Sequence, residues 1–217
     1  MPTRDEEAVF VEASARLHFG VLDLRGTLGR WFGGIGASAA TPTLLLSAVR
    51  GDHLAAYGED AERAGEFARL FMAHHNLHGG AEIHVHNTLP PHVGLGSGTQ
   101  LALAVGRALA EIYAVPSDAR SLARAVARGK RSAIGTWTFE GGGLVVEGGR
   151  RADRDECGPL IARVAIPSSW RCIVAVPTGT PGVSGAEEAE AFARLPAPPE
   201  RDVERVAHLV LMALLPA

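Results

Sequence analysis

Lysine is almost missing from this 217-residue chain: Lys130 is the only one, and arginine supplies the rest of the 21 basic residues. Against 24 acidic residues the net charge is −3, so there is no basic excess of the kind that nucleic-acid binding requires. Cysteine is scarce as well. Cys157 and Cys172 stand alone without C-x-x-C spacing, which excludes a disulfide framework and a cysteine-based zinc site. A reduced, cytosolic setting is the expectation that follows. The first residues, M-P-T-R-D-E-E, contain no apolar core of a secretory signal. No apolar run approaches the ~18 residues that a membrane span needs. Repeats and low-complexity tracts are absent too.

What the chain does have is 47% hydrophobic residues, enough for a sizeable core, and 26 glycines. Three of the glycines alternate in Pro90–Leu103, read P-P-H-V-G-L-G-S-G-T-Q-L-A-L. Gly94, Gly96 and Gly98 lead directly into an apolar run at helical spacing that continues to Tyr113. Glycine lets backbone amides approach a ligand closely. A helix starting there adds unpaired N–H groups and the positive end of its dipole. Together these make a site for phosphate or pyrophosphate. Two better-known loops are excluded: Thr99 follows Gly98 where a P-loop needs Lys, and position 99 is Thr where a dinucleotide fingerprint needs Gly.

Around this loop the pattern predicts strands first and helices later. Val9–Leu24 reads as a strand, with Arg16 and His18 on the face opposite Ala15 and Leu17. Arg25–Gly36, glycine-rich with Trp31 and Phe32, reads as a loop. Ala37–Val49 resumes as a strand kinked at Pro42, and His53–Tyr57 as a short return strand after the Gly51-Asp52 turn. Glu59–His75 carries a helical stripe including Phe67 and Phe71, and Ala81–Thr88 is a strand feeding the glycine loop. Six histidines fall between His74 and His92. With no Cys nearby and Glu82 as the one adjacent acid, they read as solvated side chains, and no metal-ligand set is assigned. Ser117 is the expected cap of a helix burying Leu122, Ala125 and Val126. Strands are expected at Leu144–Gly148, Leu160–Ile166 and Cys172–Val176. Glu187-Glu188 opens a helix where acids are favoured, and Arg201–Leu215 is an amphipathic helix.

Pro90 with Gly94-Leu95-Gly96-Ser97-Gly98 resembles the phosphate-binding loop of the GHMP kinase superfamily. The longer string His92–Leu101 resembles one branch of it, the beta-ribofuranosylaminobenzene 5'-phosphate synthases. Four further segments agree: Arg16–Leu24 with Gly29-Arg30 and Gly33–Gly36, Arg131-Ser132-x-Ile134-Gly135, Phe139-x-x-Gly142-Gly143, and Gly182-Val183-Ser184-Gly185-x-Glu187, where Val183 replaces an expected leucine. The resemblance implies an α+β fold: a GHMP-kinase-like domain over 1–159, a mixed sheet with helices on one side, and the start of a second domain over 160–217. It also implies a further C-terminal region that this chain lacks, and a homodimer as the possible assembly.

The resemblance implies a decarboxylating glycosyltransferase of methanopterin biosynthesis. Such an enzyme joins the ribose 5-phosphate unit of phosphoribosyl pyrophosphate to 4-aminobenzoate, with Mg²⁺, and releases pyrophosphate and carbon dioxide. Gly94, Leu95, Gly96, Ser97, Gly98, Thr99, Gln100, Arg131 and Ser132 would then hold phosphate. Asp23, Arg16, Arg30 and Glu140 would be catalytic, and His18, His92, Ser184 and Glu187 would touch substrate. A carboxylate near the ribosyl cation is required, with Asp23, Glu140 and Glu187 as candidates. A cationic clamp for the ring carboxylate is required too, with Arg16, Arg30 and Arg131 as candidates. Two alternatives stand beside this: an ATP-dependent small-molecule kinase using the same loop, and a non-catalytic short form.

Overall fold

The computed structural model describes residues 8–154, 156–176 and 185–217. Two long strands form its frame. β1 (Val9–Asp23) runs antiparallel along β2 (Arg30–Gly51) for most of its length. The other edge of β2 is shared. Its last residues pair with β4 (Gly80–Asn87), Gly34–Ala37 pair with β5 (Leu144–Glu147), and Arg30-Trp31 pair with the two-residue β6 (Arg150–Arg151). β3 (Ala55–Gly58) lies parallel to β4, and β7 (Leu160–Val164) antiparallel to β5. The sheet is therefore mixed, ordered β3-β4-β2-β5-β7 with β1 on the far edge of β2.

Alternation decides which face is covered. Val11, Ala13, Leu44, Leu46, Ala48, Ile83 and Val85 are buried, whereas Phe10, His84 and His86 on the opposite face are exposed. On the buried face lie α1 (Ala61–His74) and α2 (Ser97–Ile112), with α3 (Ala119–Ala125) packed against both. This is the expected α+β arrangement. α2 is more deeply set than its Leu101–Val105–Leu109 stripe predicts: Ala102, Leu103, Ala104 and Ala108 are also fully buried, because α1, α3 and α4 (Ile134–Gly141) pack around the sides that the sheet leaves open.

Several expectations are corrected. Arg30–Gly36 is strand, not loop. Gly34 and Gly36 are small so that α4 can dock: a Cβ on Gly36 would collide with Ile134 and with the Leu17 carbonyl. β3 does not return along β2 but crosses to β4. The cap of α3 is Asp118, whose carboxylate accepts from the Ser121 amide at 2.7 Å, while Ser117 precedes it. Cys172–Val176 forms no strand: it pairs with none of the described strands, and Ile173 is 95% exposed. β7, which begins at residue 160, pairs with β5 in the same sheet. Beyond it, α5 (Gly185–Arg194) and α6 (Glu200–Leu209) follow, the latter continued by a π-helical turn at Val210–Leu214. Val206, Leu209 and Leu214 of the predicted apolar stripe are exposed, and Val210 is buried.

Asp118→Ala is expected to destabilise the protein by about 1 kcal/mol, the usual value of an N-cap side chain. Urea unfolding of the variant measures it.

Candidate functional site

The glycine loop turns from β4 into α2 over Leu95, which is 3% exposed and anchors it in the core. Gly96 takes φ +79° as the residue before the helix, a left-handed conformation that glycine adopts without strain. Its carbonyl accepts from the amides of Thr99 and Gln100, both at 3.0 Å. The amides of Ser97 and Gly98 have no hydrogen-bond partner among the described residues. They are the donors that the sequence predicts at this helix start.

Two arginines that sequence reasoning missed converge on the same turn. A Cβ at Gly98 would lie 2.5 Å from Arg63 Nη2 and 3.7 Å from Arg128 Nη2. Arg63 comes from α1 and is steadied by Asp60 at 2.8 Å. Arg128 follows α3 and stacks on Phe67, 4.7 Å from the ring centre. Burial first, and then the charge of Arg63, lower the proton affinity of Arg128. Two guanidinium groups and two bare amides make a cradle for a multiply charged anion. Their separation in sequence, from 63 to 98 to 128, hides the cluster from any local motif.

On the other side of the loop, Arg16 is bonded into it. Its backbone amide donates to the Leu95 carbonyl at 3.0 Å and its Nη1 to the Gly94 carbonyl at 2.6 Å. Desolvation lowers its proton affinity, and the charge of Glu188 raises it. His18 lies two residues on, over Gly34. Burial, followed by the Arg16 charge, pushes its pKa below 6.5, while Glu188 pulls it back. Its imidazole is thus biased toward the neutral form at pH 7. Arg131 pairs with Glu188 at 2.6 Å, and Ser132 Oγ accepts from the Ile134 amide at 3.3 Å ahead of α4. α4 meets α2 through Gln100, whose Nε2 donates to the Gly135 carbonyl at 3.1 Å.

The remaining expected residues lie apart from this cluster. Both turn amides after β1 use Asp23: Arg25 and Gly26 donate to its Oδ1 at 2.6 and 2.9 Å. Arg30 donates to the Gly149 carbonyl at 3.0 Å and ties down the β5–β6 turn. Glu140 is exposed and pairs with Arg163 at 3.2 Å. His92 is exposed on the outer turn of the glycine loop. Glu187 is exposed at the start of α5, whereas its neighbour Glu188 faces the cations. Ser184 lies outside the described residues. Among the described residues no three His, Cys, Asp or Glu side chains converge as a metal site; His84 pairs with Glu82 and His86 with Ser47.

Residues 59–141, which include the loop and both arginines, match the model of the GHMP kinases N terminal domain. Beta-ribofuranosylphenol 5'-phosphate synthase of Archaeoglobus fulgidus is 37% identical over 215 residues, spanning 94% of this chain and 68% of its own length. The chain belongs to this synthase family. The Methanothermobacter thermautotrophicus synthase of the same name is 34% identical over 96% of this chain and 70% of its own. The family's fold is that of GHMP kinases. A crystal structure of 4-(cytidine 5'-diphospho)-2C-methyl-D-erythritol kinase aligns with TM-score 0.53 and 22% identity over 96% of this chain and 80% of its own. Phosphomevalonate kinase of Streptococcus pneumoniae aligns with TM-score 0.53 and 16% identity over 67% of this chain and 49% of its own. These two kinases share the architecture with the synthase family at identities that speak for fold alone. No described helix of this member is long and apolar enough to cross a membrane.

Proposed function

We propose that this protein is a decarboxylating ribosyl 5-phosphate transferase that joins phosphoribosyl pyrophosphate to a para-substituted benzoate. The acceptor is 4-aminobenzoate or its 4-hydroxy counterpart; the relatives' names carry a phenol, and either substituent feeds electrons to the ring carbon that bears the carboxylate. The bond from ribose C1 to the pyrophosphate oxygen breaks, and the leaving group keeps the electron pair. That ring carbon attacks C1. Its bond to the carboxylate then breaks, carbon dioxide leaves, and the electron pair restores aromaticity. No proton has to be removed from the ring.

The observation that carries this reading is the cradle at the head of α2. The bare amides of Ser97 and Gly98, with Arg63 and Arg128, suit a departing pyrophosphate. Magnesium belongs to the same proposal. The ion takes few protein ligands when it arrives on a phosphate, and the side-chain oxygens of Ser97 and Thr99 stand at this helix start. When bound, it would neutralise charge on the leaving group. Family membership supports the synthase over an ATP-dependent kinase, and it supports a place in methanopterin biosynthesis. Self-association into a homodimer is a further part of the reading, supported by the exposed Leu209, Leu211 and Met212; light scattering tests it.

Incubation with phosphoribosyl pyrophosphate, Mg²⁺ and each benzoate in turn is expected to release pyrophosphate and carbon dioxide in equal amounts. ATP in place of the donor is expected to transfer no phosphate. Pyrophosphate release without carbon dioxide would overturn the proposal.

A further inference from the structure

α5 brings a carboxylate into a cluster that is otherwise cationic. Glu188 pairs with Arg131 at 2.6 Å, and its charge is also felt by Arg16 and His18. The pairing leaves Arg131 half used: its Nη1 is buried and has no hydrogen-bond partner among the described residues. A buried guanidinium nitrogen without an acceptor is costly, and a second carboxylate oxygen in bidentate geometry would satisfy it. Aromatic side chains adjoin the same group. The Phe192 ring lies 6.0 Å from the Arg131 guanidinium and meets Phe32 edge-on at 6.1 Å. Phe32 holds φ 71°, a conformation that bulky residues rarely take and that collects at ligand clamps.

We infer that Arg131, Phe192 and Phe32 form the subsite for the aromatic carboxylate acceptor, with the Glu188 carboxylate seated where the acceptor's own carboxylate binds and displaced by it. This rests on the proposed reaction. The aromatic pair receives the ring edge-on or offset, and Arg131 takes the carboxylate. Arg16, which bonds the glycine loop and also feels the Glu188 charge, links this subsite to the pyrophosphate cradle. Exchange of one carboxylate for another keeps the cluster neutralised throughout. The product has lost its carboxylate, so its hold on Arg131 lapses, and Glu188 returns as it leaves.

Benzoate alone, titrated into the full 217-residue chain and followed calorimetrically, tests this without turnover. Arg131→Gln is expected to weaken benzoate binding by about tenfold or more, the loss of one charge-assisted contact. Glu188→Gln removes the competitor and is expected to strengthen it by roughly threefold to tenfold. Phe192→Leu is expected to weaken benzoate while leaving acetate unchanged. The circular dichroism spectrum and thermal unfolding midpoint of each variant report that it is folded; if Arg131→Gln is not, Glu188→Gln decides alone. Benzoate that ignores the wild-type protein, or binds Glu188→Gln no better than wild type, overturns the subsite. If benzoate behaves as expected but wild type releases neither pyrophosphate nor carbon dioxide from the paired substrates, the subsite stands and the assigned reaction falls.

Discussion

Glu147→Ala is expected to lose roughly 2–6 kcal/mol of stability, because two buried donors that each cost about 1–3 kcal/mol unpaired are orphaned together. Glu147 is the one fully buried carboxylate among the described residues, at 0% exposure on β5. Its Oε1 accepts from the Ala133 amide at 3.2 Å and its Oε2 from the Gly149 amide at 2.8 Å. It thereby clasps the start of α4 to the β5–β6 turn and fixes the segment that carries Arg131 and Ser132. Glu147→Gln keeps one acceptor oxygen but turns an NH₂ toward the other amide, so an intermediate loss is expected. Guanidinium unfolding of the three proteins gives the order.

The pH dependence has a definite sign. Burial raises the Glu147 pKa above 4.5, and the two amide bonds only partly oppose this. The folded state therefore binds the proton more tightly than the unfolded chain does. Its contribution is fully present below about pH 4.5 and is lost as pH rises through the folded value. The stability advantage of wild type over Glu147→Gln is expected to shrink across that rise. An advantage that grows with pH would show that the two amide bonds outweigh burial.

The second large effect is on the donor. Arg63→Ala combined with Arg128→Ala is expected to weaken pyrophosphate binding, and to raise the KM for phosphoribosyl pyrophosphate, by about 10²–10⁴-fold. Each charge-assisted bond is worth about 1.5–3 kcal/mol, or roughly 10- to 150-fold. Arg128 also stacks on Phe67, so its loss affects packing as well as charge. Arg128→Lys separates the two, because it keeps a cation while giving up the planar fork. Unchanged pyrophosphate affinity in the double variant would remove the cradle from the site.

Most of the frame was legible in one dimension. Period-two alternation located β1, the second half of β2 and β4, and the Phe67–Phe71 stripe located α1. The glycines before Ser97 marked the candidate anion-binding turn, because every helix start leaves amides bare and glycine lets a ligand approach them closely. Two glycines misled. Gly34 and Gly36 read as loop residues, yet they lie in β2 to admit Ile134, a reason that exists only once α4 is docked.

The candidate site divides along the same line. Arg16, His18, the turn at Ser97 and Arg131 were legible as candidates because each sits within a short recognisable string. Arg63, Arg128 and Glu188 were not, because nothing local distinguishes an arginine on α1 from one facing water, or Glu188 from Glu187. Sequence determined the alternation of strands and the bare helix start, since both follow from neighbours along the chain. Tertiary structure alone decided which charges meet around that start, since Coulomb interactions depend on distance in space, and residues 63, 98 and 128 become neighbours only when α1 and α2 pack on the sheet and α3 packs on them.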